Sequence, residues 1–406
     1  MTDTSGICFL SYKRECSDQA ALIVDALRDH GVAVWQDVSD LPAGITESEI
    51  RTRLNDQETA CAVILVTPEV RNSPMIRDVE VEGIFRRVSQ QDGFFAQLVL
   101  ADGVVDYKDA DEILGTRTSG ILPSSKNCLK FNGKVDADIA RKVAEVVLKN
   151  RLIKLNETSQ DAGPIRIRVN TRQPPLRKEV GYALNLDLCH HYDGRLLKPD
   201  SWKEFIQPAF LCIKNKIHEN FSTNRILELS GQLSLPIAVS LGVTFSNVSG
   251  LKANWIQENS RAWGENVDRE DSGFKETILP REVNGNEYAL LVSVTSDVIN
   301  FFGAIANTLP LRAMINVKPN GVDPNRNLRL TPGEALDVAN VATCALRRAI
   351  DQYGRRGTVH LVIAGPAGLA FLIGQKLNTI SSVQTYEFIN TSECSYVPAL
   401  TLFPNQ

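Results

Sequence analysis

Over roughly the first 130 residues, short apolar runs alternate with stretches in which apolar positions recur at helical spacing. Ile7–Ser11 (ICFLS) reads as a buried strand. In Asp18–His30, Ala21, Leu22, Val24 and Leu27 form one helical stripe, and Gly31 stands where a C-cap glycine would close it. Val32–Trp35 predicts a second strand, Glu47–Leu54 a second helix and Ala60–Val66 a third strand. Arg77–Arg87 predicts a third helix and Phe95–Leu100 a fourth strand. Strands alternating with helices call for a parallel sheet covered on both faces. Ala137–Leu155 is strongly periodic and closes this domain, and the polar Asn156–Pro164 is the best linker. The expected domains are therefore residues 1–156 and 157–406, the second opening with a strand-like RIRV at Arg166–Val169.

The second domain holds a weak internal repeat. RILELSGQLSLPIAVSLGVTF (Arg225–Phe245) and VHLVIAGPAGLAFLIGQKL (Val359–Leu377) each read as a strand, a small-residue turn and a helix. Each helix carries Ala-x-x-x-Gly, Ala238 with Gly242 and Ala370 with Gly374. A further strand with an aromatic residue follows each, Trp255 in KANWIQ and Tyr386 in QTYEF. Upstream, Tyr182–Leu188 and Tyr288–Thr295 are the expected opening strands, with helices around Trp202–His218 and Leu336–Tyr353. Two such halves predict a pseudo-twofold domain with a cleft between the copies; coincidence among Ala- and Gly-rich helices is the alternative.

Composition narrows the class. The 406 residues are 43% hydrophobic and 23% charged, as globular chains are. Net charge is −4, with 44 basic against 48 acidic residues, so no global basic field would hold a nucleic-acid polymer. A local basic pocket for a small phosphorylated ligand remains compatible with that balance. The eight cysteines show no C-x-x-C spacing, which speaks against zinc ribbons and thioredoxin-type motifs and for reduced, buried thiols. MTDTSGICFLSYKRE has no secretory pattern, and no stretch reaches 18 apolar residues. The expectation is a soluble, cytoplasmic protein with no membrane partner.

Four stretches of the first domain carry candidate chemistry. FLSYKR ends the first strand with Ser11, Tyr12, Lys13 and Arg14, setting two cations where a pyrophosphate would sit beyond a strand's carboxyl end. VAVWQDVSDLPAG brings Trp35, Asp37 and Asp40 into a Pro- and Gly-bearing loop. Leu65-Val66-Thr67-Pro68 ends another strand in a turn, and SPMIRDVEVE starts a helix with Ser73 as N-cap and Pro74 at N1. These stretches, over residues 5 to 130, resemble the TIR (Toll/interleukin-1 receptor) domain in order and spacing. FLSY resembles its opening box and DVSDLPAG its mobile loop. SPMIRDVE resembles the segment where NAD-cleaving TIR enzymes carry an aromatic residue and, four residues on, a catalytic glutamate.

The resemblance implies a flavodoxin-like parallel sheet and puts Glu80 at the catalytic position, four residues after Ile76, which stands where the family has tryptophan. Glu82 is the rival carboxylate, and Trp35 is a candidate source of the missing aromatic surface. The implied reaction is cleavage of NAD as a substrate, with no resident cofactor. A carboxylate stabilises the oxocarbenium-like centre formed as nicotinamide leaves, and Lys13 and Arg14 hold the diphosphate.

In the second domain Gly365-Pro366-Ala367-Gly368 follows a strand and opens a helix, so the turn can present N–H groups to a phosphate. Ser230-Gly231-Gln232-Leu233-Ser234 is its counterpart, and Thr295 and Ser296 end an opening strand. Arg195 and Lys198 follow the loop that bears His190 and His191; the histidines lack a carboxylate at ligand spacing, so no metal is expected. VHLVIAGPAGLAFLIGQKL followed by VQTYEF resembles the SAVED domain, a sensor of two fused CARF-like Rossmann halves, over about residues 165 to 406. That resemblance implies binding of a cyclic oligonucleotide, an adenine-containing trinucleotide being expected. Its candidate contacts are Arg195, Lys198, Ser230, Gln232, Thr295, Ser296, Gly365 and Pro366. It also implies head-to-tail self-association into an oligomer or filament, within bacterial cyclic-oligonucleotide-based anti-phage signalling (CBASS). Two rivals stay open: a non-catalytic TIR adaptor, and a sensor half that binds an unrelated metabolite.

Overall fold

The computed structural model describes residues 2–35, 47–115, 122–126, 128–158, 163–174, 181–221, 225–246, 250–257, 261–354, 357–380, 382–390 and 395–404. Two compact units emerge. The first comprises Met1–Ala162, Pro175–His190 and Asn215–Phe221; the second comprises Gly163–Pro174, His191–Lys214 and Ser222–Gln406. Each unit is thus assembled from three stretches of the chain. Among the described residues no helix is long and apolar enough to cross a membrane.

In the first unit the strands are β1 (Ile7–Ser11), β2 (Val34–Trp35), β3 (Thr59–Val66), β4 (Phe95–Leu100) and β5 (Cys128–Lys130). They lie in the order β2-β1-β3-β4-β5, and every pair is parallel. Helices α1 (Ser17–Asp29), α2 (Glu47–Asn55), α3 (Glu82–Ser89), α4 (Tyr107–Leu114) and α5 (Ala137–Thr158) accompany this sheet. The alternation of side chains along β1 sorts them to opposite faces. Cys8, Leu10 and Tyr12 join one core with α1 and α5, while Phe9 joins the other with Trp35, Ile50 and Ile76. All eight residues of β3 are buried, which explains an unbroken apolar run.

Helix α5 runs three residues into the expected linker, and α4 and β5 are additions to the predicted set. Gly31 has φ +78°, as a left-handed C-cap requires, and a Cβ there would sit 2.7 Å from that of Leu184. Of the cysteines, Cys8, Cys16 and Cys61 are buried; Cys128, Cys189 and Cys212 are half-buried and Cys344 is exposed, so the thiols are less uniformly interior than expected. All seven are free, and Cys394 lies outside the described residues.

The second unit contains two sheets built alike. In one, β6 (Ile165–Asn170), β7 (Ile226–Ser230) and β8 (Lys252–Gln257) are parallel neighbours, with β9 (Arg261–Trp263) antiparallel beside β8. In the other, β11 (Glu287–Ser293), β13 (Val359–Ala364) and β14 (Val383–Ile389) repeat that arrangement. There β12 (Leu311–Pro319) pairs with β11, and β10 (Phe274–Pro280) and β15 (Ser395–Leu402) are antiparallel edges. Helix α6 (Leu235–Thr244) follows β7, α7 (Ile299–Ala306) follows β11, α8 (Pro332–Tyr353) precedes β13, and α9 (Ala367–Gln375) follows β13.

The repeat expected from sequence is real, with one correction. The strand beside β7 that matches β11 beside β13 is Ile165–Asn170, not the segment around Tyr182–Leu188. The Ala-x-x-x-Gly motifs explain how the halves join. A Cβ at Gly242 would lie 2.9 Å from the Gly374 Cα and would strike the Phe371 carbonyl oxygen. A Cβ at Gly374 would strike the Val239 carbonyl oxygen. Only glycine at both positions lets α6 and α9 approach backbone to backbone.

Candidate functional site

In a 2-1-3-4-5 parallel sheet the crevice at the carboxyl ends opens where strand order reverses, between β1 and β3. Ser11 is the last residue of β1 and its alternation turns it to the Phe9 side. There its hydroxyl donates to Glu80 Oε2 at 2.5 Å, with both groups buried. Glu80 comes from a π-helical segment, Met75–Val81, that runs directly into α3. Its backbone begins at Ser73, whose carbonyl accepts the Arg77 N–H at 3.1 Å. Wide π turns recur at functional sites because they re-aim a side chain without ending the helix. Here Ile76, Val79 and Val81 anchor the segment in the core, and the Glu80 carboxyl is inserted among them. Arg77 fixes the opposite side, donating from Nε to the Leu114 carbonyl at 3.2 Å.

The remaining first-unit candidates diverge from this carboxylate. Tyr12 turns to the opposite face of the sheet, into the core with Leu10. Lys13 is half-buried and pairs with Glu15 at 3.7 Å, and Arg14 opens an exposed turn of 3-10 helix. Trp35 is buried and stacks on Phe9, ring centroids 5.1 Å apart, so its face is spent on the core that also holds Ile76. Glu82 is half-buried at the start of α3. Asp37 and Asp40 lie outside the described residues.

In the second unit a cavity of about 840 Å³ opens at the amino end of α9. Gly365 and Pro366 floor it, with Thr295 beyond β11, Gln257 at the end of β8, and Trp263. Arg329 and Thr331, just before α8, form another wall. Thr331 caps α8 in a reciprocal box with Glu334, which fixes that wall. Behind the floor, Gly368 has no room for a Cβ, which would stand 2.6 Å from the Trp263 ring.

The pseudo-twofold gives α6 an equivalent amino end, and there the space is only about 50 Å³. Glu387 fills the place, accepting from Arg172 at 2.5 Å with Arg195 at 3.8 Å. Burial pushes the Glu387 carboxyl above its ordinary range, although the two guanidiniums oppose that. Tyr192, its hydroxyl 3.0 Å from the Ser234 hydroxyl, has a pKa pushed up to about 12 by burial. Arg195 also donates to the Phe388 carbonyl at 3.1 Å.

Two stretches of the chain match known families. Residues 8–142 match the TIR domain family. Residues 212–402 match the family described as SAVED, the SMODS-associated and fused to various effectors sensor domain. The chain joins a TIR domain to a SAVED domain. Similar solved structures include the Acinetobacter baumannii Cap4 SAVED/CARF-domain containing receptor with the cyclic trinucleotide 3'3'3'-cAAA, at 14% identity and TM-score 0.48, covering 97% of this chain and 100% of that one. The same receptor with 2'3'3'-cAAA gives 14% and 0.46, covering 95% and 97%. The Moraxella osloensis Cap4 receptor gives 16% and 0.44, covering 96% and 98%. No curated protein matches the chain.

Within the SAVED domain, the structure brings together three of the eight candidates: Thr295, Gly365 and Pro366 line the large cavity. Ser296 is half-buried next to Thr295 and is not among the described lining residues. Arg195 belongs to the closed equivalent, between the short paired strands Tyr192–Asp193 and Leu196–Leu197, and Lys198 lies exposed just after them. Ser230 ends β7, and Gln232 is exposed, its N–H bonded to Asn170 at 3.3 Å. Gln257, Trp263, Arg329 and Thr331 were not anticipated. The T-P-G-E capping signature marks Thr331 in the sequence, but nothing local marks Gln257 or Arg329.

Proposed function

We propose that this TIR–SAVED chain is an NAD glycohydrolase switched on by a cyclic oligonucleotide. The observation that carries the reading is the buried Glu80 carboxylate, held by Ser11 at 2.5 Å where the TIR sheet reverses strand order. Cleaving the nicotinamide–ribose bond leaves an electron-deficient anomeric carbon, and a fixed, buried carboxylate stabilises that charge as it develops. The bond electrons leave with nicotinamide, and water adds to give ADP-ribose and a proton. Ser11 orients Oε2, so Glu80 presents the same face throughout. Lys13 and Arg14, just beyond β1, are the proposed diphosphate contacts, and Asp37 and Asp40 are proposed as further substrate contacts; Tyr12 and Trp35, packed into the two cores, are not.

The SAVED cavity supplies the switch. Its volume falls within the range of small-ligand pockets, about 300–1,000 Å³, and its lining, with Arg329 set among apolar side chains such as Trp263 and Leu330, suits an anionic, base-bearing ligand. The proposed activator is a cyclic oligonucleotide, an adenine-containing trinucleotide first. Binding drives head-to-tail self-association, a heterologous contact that builds rings or filaments and brings TIR domains together. NAD depletion is then the output of an anti-phage signal of the CBASS type. The deciding experiment follows NAD loss and nicotinamide release by the full chain across cyclic di-, tri- and tetranucleotides. NAD loss with one or a few of them supports the reading; inertness with all of them removes it, and cyclic ADP-ribose as the product replaces hydrolysis by cyclisation.

A further inference from the structure

We infer that Gln257 reads the base of the SAVED ligand, and does so as a hydrogen-bond donor only. The inference rests on the proposed ligand class and adds to it which atoms of the base are recognised. Gln257 ends β8 and lines the cavity half-buried. Its Oε1 accepts from Trp255 Nε1 at 3.0 Å and from the Gly368 N–H at 3.3 Å. Both partners are donors that cannot accept, so the amide orientation is fixed by chemistry: oxygen inward, NH2 toward the cavity. The arrangement is costly to reverse. Trp255 is buried, and an indole N–H left without its acceptor would carry a desolvation penalty.

The surroundings point the same way. Arg329, on the wall, offers only donors. Thr331 has its hydroxyl committed, accepting from the Glu334 N–H at 3.1 Å and donating to Glu270. No described carboxylate lines the cavity. Trp263, Val294, Leu328 and Leu330 supply apolar surface beside Gln257, where the face of a base packs. A free Gln side chain pairs with adenine in a bidentate way, accepting from the 6-amino group and donating to a ring nitrogen. Gln257 cannot make the first of these bonds. It therefore selects an acceptor, a ring nitrogen or a carbonyl oxygen, and is blind to an exocyclic amine.

The test uses the full chain and equilibrium titration with 3′3′3′-cyclic tri-adenylate, its 1-, 3- and 7-deaza analogues, and the analogue lacking the 6-amino groups. The decisive variant is Gln257→Glu, which keeps an oxygen for Trp255 and Gly368 and replaces the NH2 by an acceptor. The wild type is expected to lose about tenfold in affinity with one deaza analogue, the effect of one hydrogen bond. Gln257→Glu is expected to bind the parent about tenfold more weakly, with an unchanged melting temperature, and to be indifferent to that deaza change. Parent affinity unaltered by Gln257→Glu, or a deaza loss that persists in the variant, overturns the inference while leaving the ligand class intact. If the wild type binds none of these and no other cyclic oligonucleotide, the ligand class falls and this inference with it.

Discussion

Replacing Ser11 by alanine probes the site at its narrowest point. The substitution removes one oxygen from a residue that ends a core strand and is 1% exposed. It deletes the 2.5 Å bond to Glu80 without touching the carboxylate. A hydrogen bond to a charged group contributes about 1.5–3 kcal/mol. If that energy is what holds Oε2 against the developing charge, the loss appears in the barrier, at about 1.4 kcal/mol per tenfold in rate. Ser11→Ala should therefore slow ligand-activated NAD cleavage by roughly 10- to 150-fold. The assay is nicotinamide release under saturating activator, with a thermal melt of each protein. A wild-type rate in a normally folded Ser11→Ala protein refutes the positioning role. A loss of rate that merely follows a collapsed melting transition refutes it as well.

Other perturbations test the sensor. Arg329→Ala should weaken binding of the activating nucleotide and flatten its salt dependence without changing the melting temperature of the free protein, read by titrations at several salt concentrations. Gly242→Ala should cost about 1–3 kcal/mol as α6 is pushed off α9, and at about 2–4 °C per kcal/mol the SAVED transition falls by several degrees; an unchanged melt would show that the helices tolerate the separation. Asp337 is buried on α8; burial raises its pKa, but bonds from the Ser272 hydroxyl and N–H and from Arg269 outweigh that, so the net shift is downward. A lowered folded pKa means that this stabilisation is complete above the unfolded value, near 3.9, and disappears as pH falls through the folded one. Asp337→Asn should lower stability at neutral pH by about 1–3 kcal/mol and remove that share of the acid-side loss in denaturant melts.

Much of the TIR fold is legible because its central strands are buried on both faces. TACAVILV in β3 leaves no polar side to confuse the reading. Glu80 is singled out by the TIR resemblance, four residues after Ile76, and the structure places it against Ser11; the π winding that carries it is not legible, since MIRDVEV would serve equally well in an α-helix. The pattern after β4 does not predict α4, although Asp106 caps it by accepting the Asp109 N–H. In the SAVED domain the Ala-x-x-x-Gly pair reports a real helix contact. The opening strand of the first half was misplaced because RIRVN and YALNLDL are both good strands, and only sheet pairing tells which lies beside β7. Arg195 drew attention as a loop cation, and the structure neutralises it with Glu387, more than 190 residues away in sequence. Gln257 and Arg329 reach one cavity from different halves, a convergence that local patterns do not encode.

The central claim concerns a single carboxylate, and Glu80→Gln tests it with the least disturbance, since the amide is nearly isosteric and can still accept from Ser11. The measurement is NAD consumption by wild-type and Glu80→Gln full-length protein at a saturating concentration of whichever cyclic oligonucleotide activates, with ligand affinity and melting temperature taken on the same samples. The account predicts that NAD loss disappears while ligand binding and folding stay as in the wild type. Full turnover by Glu80→Gln, with nicotinamide released at the wild-type rate, would contradict it.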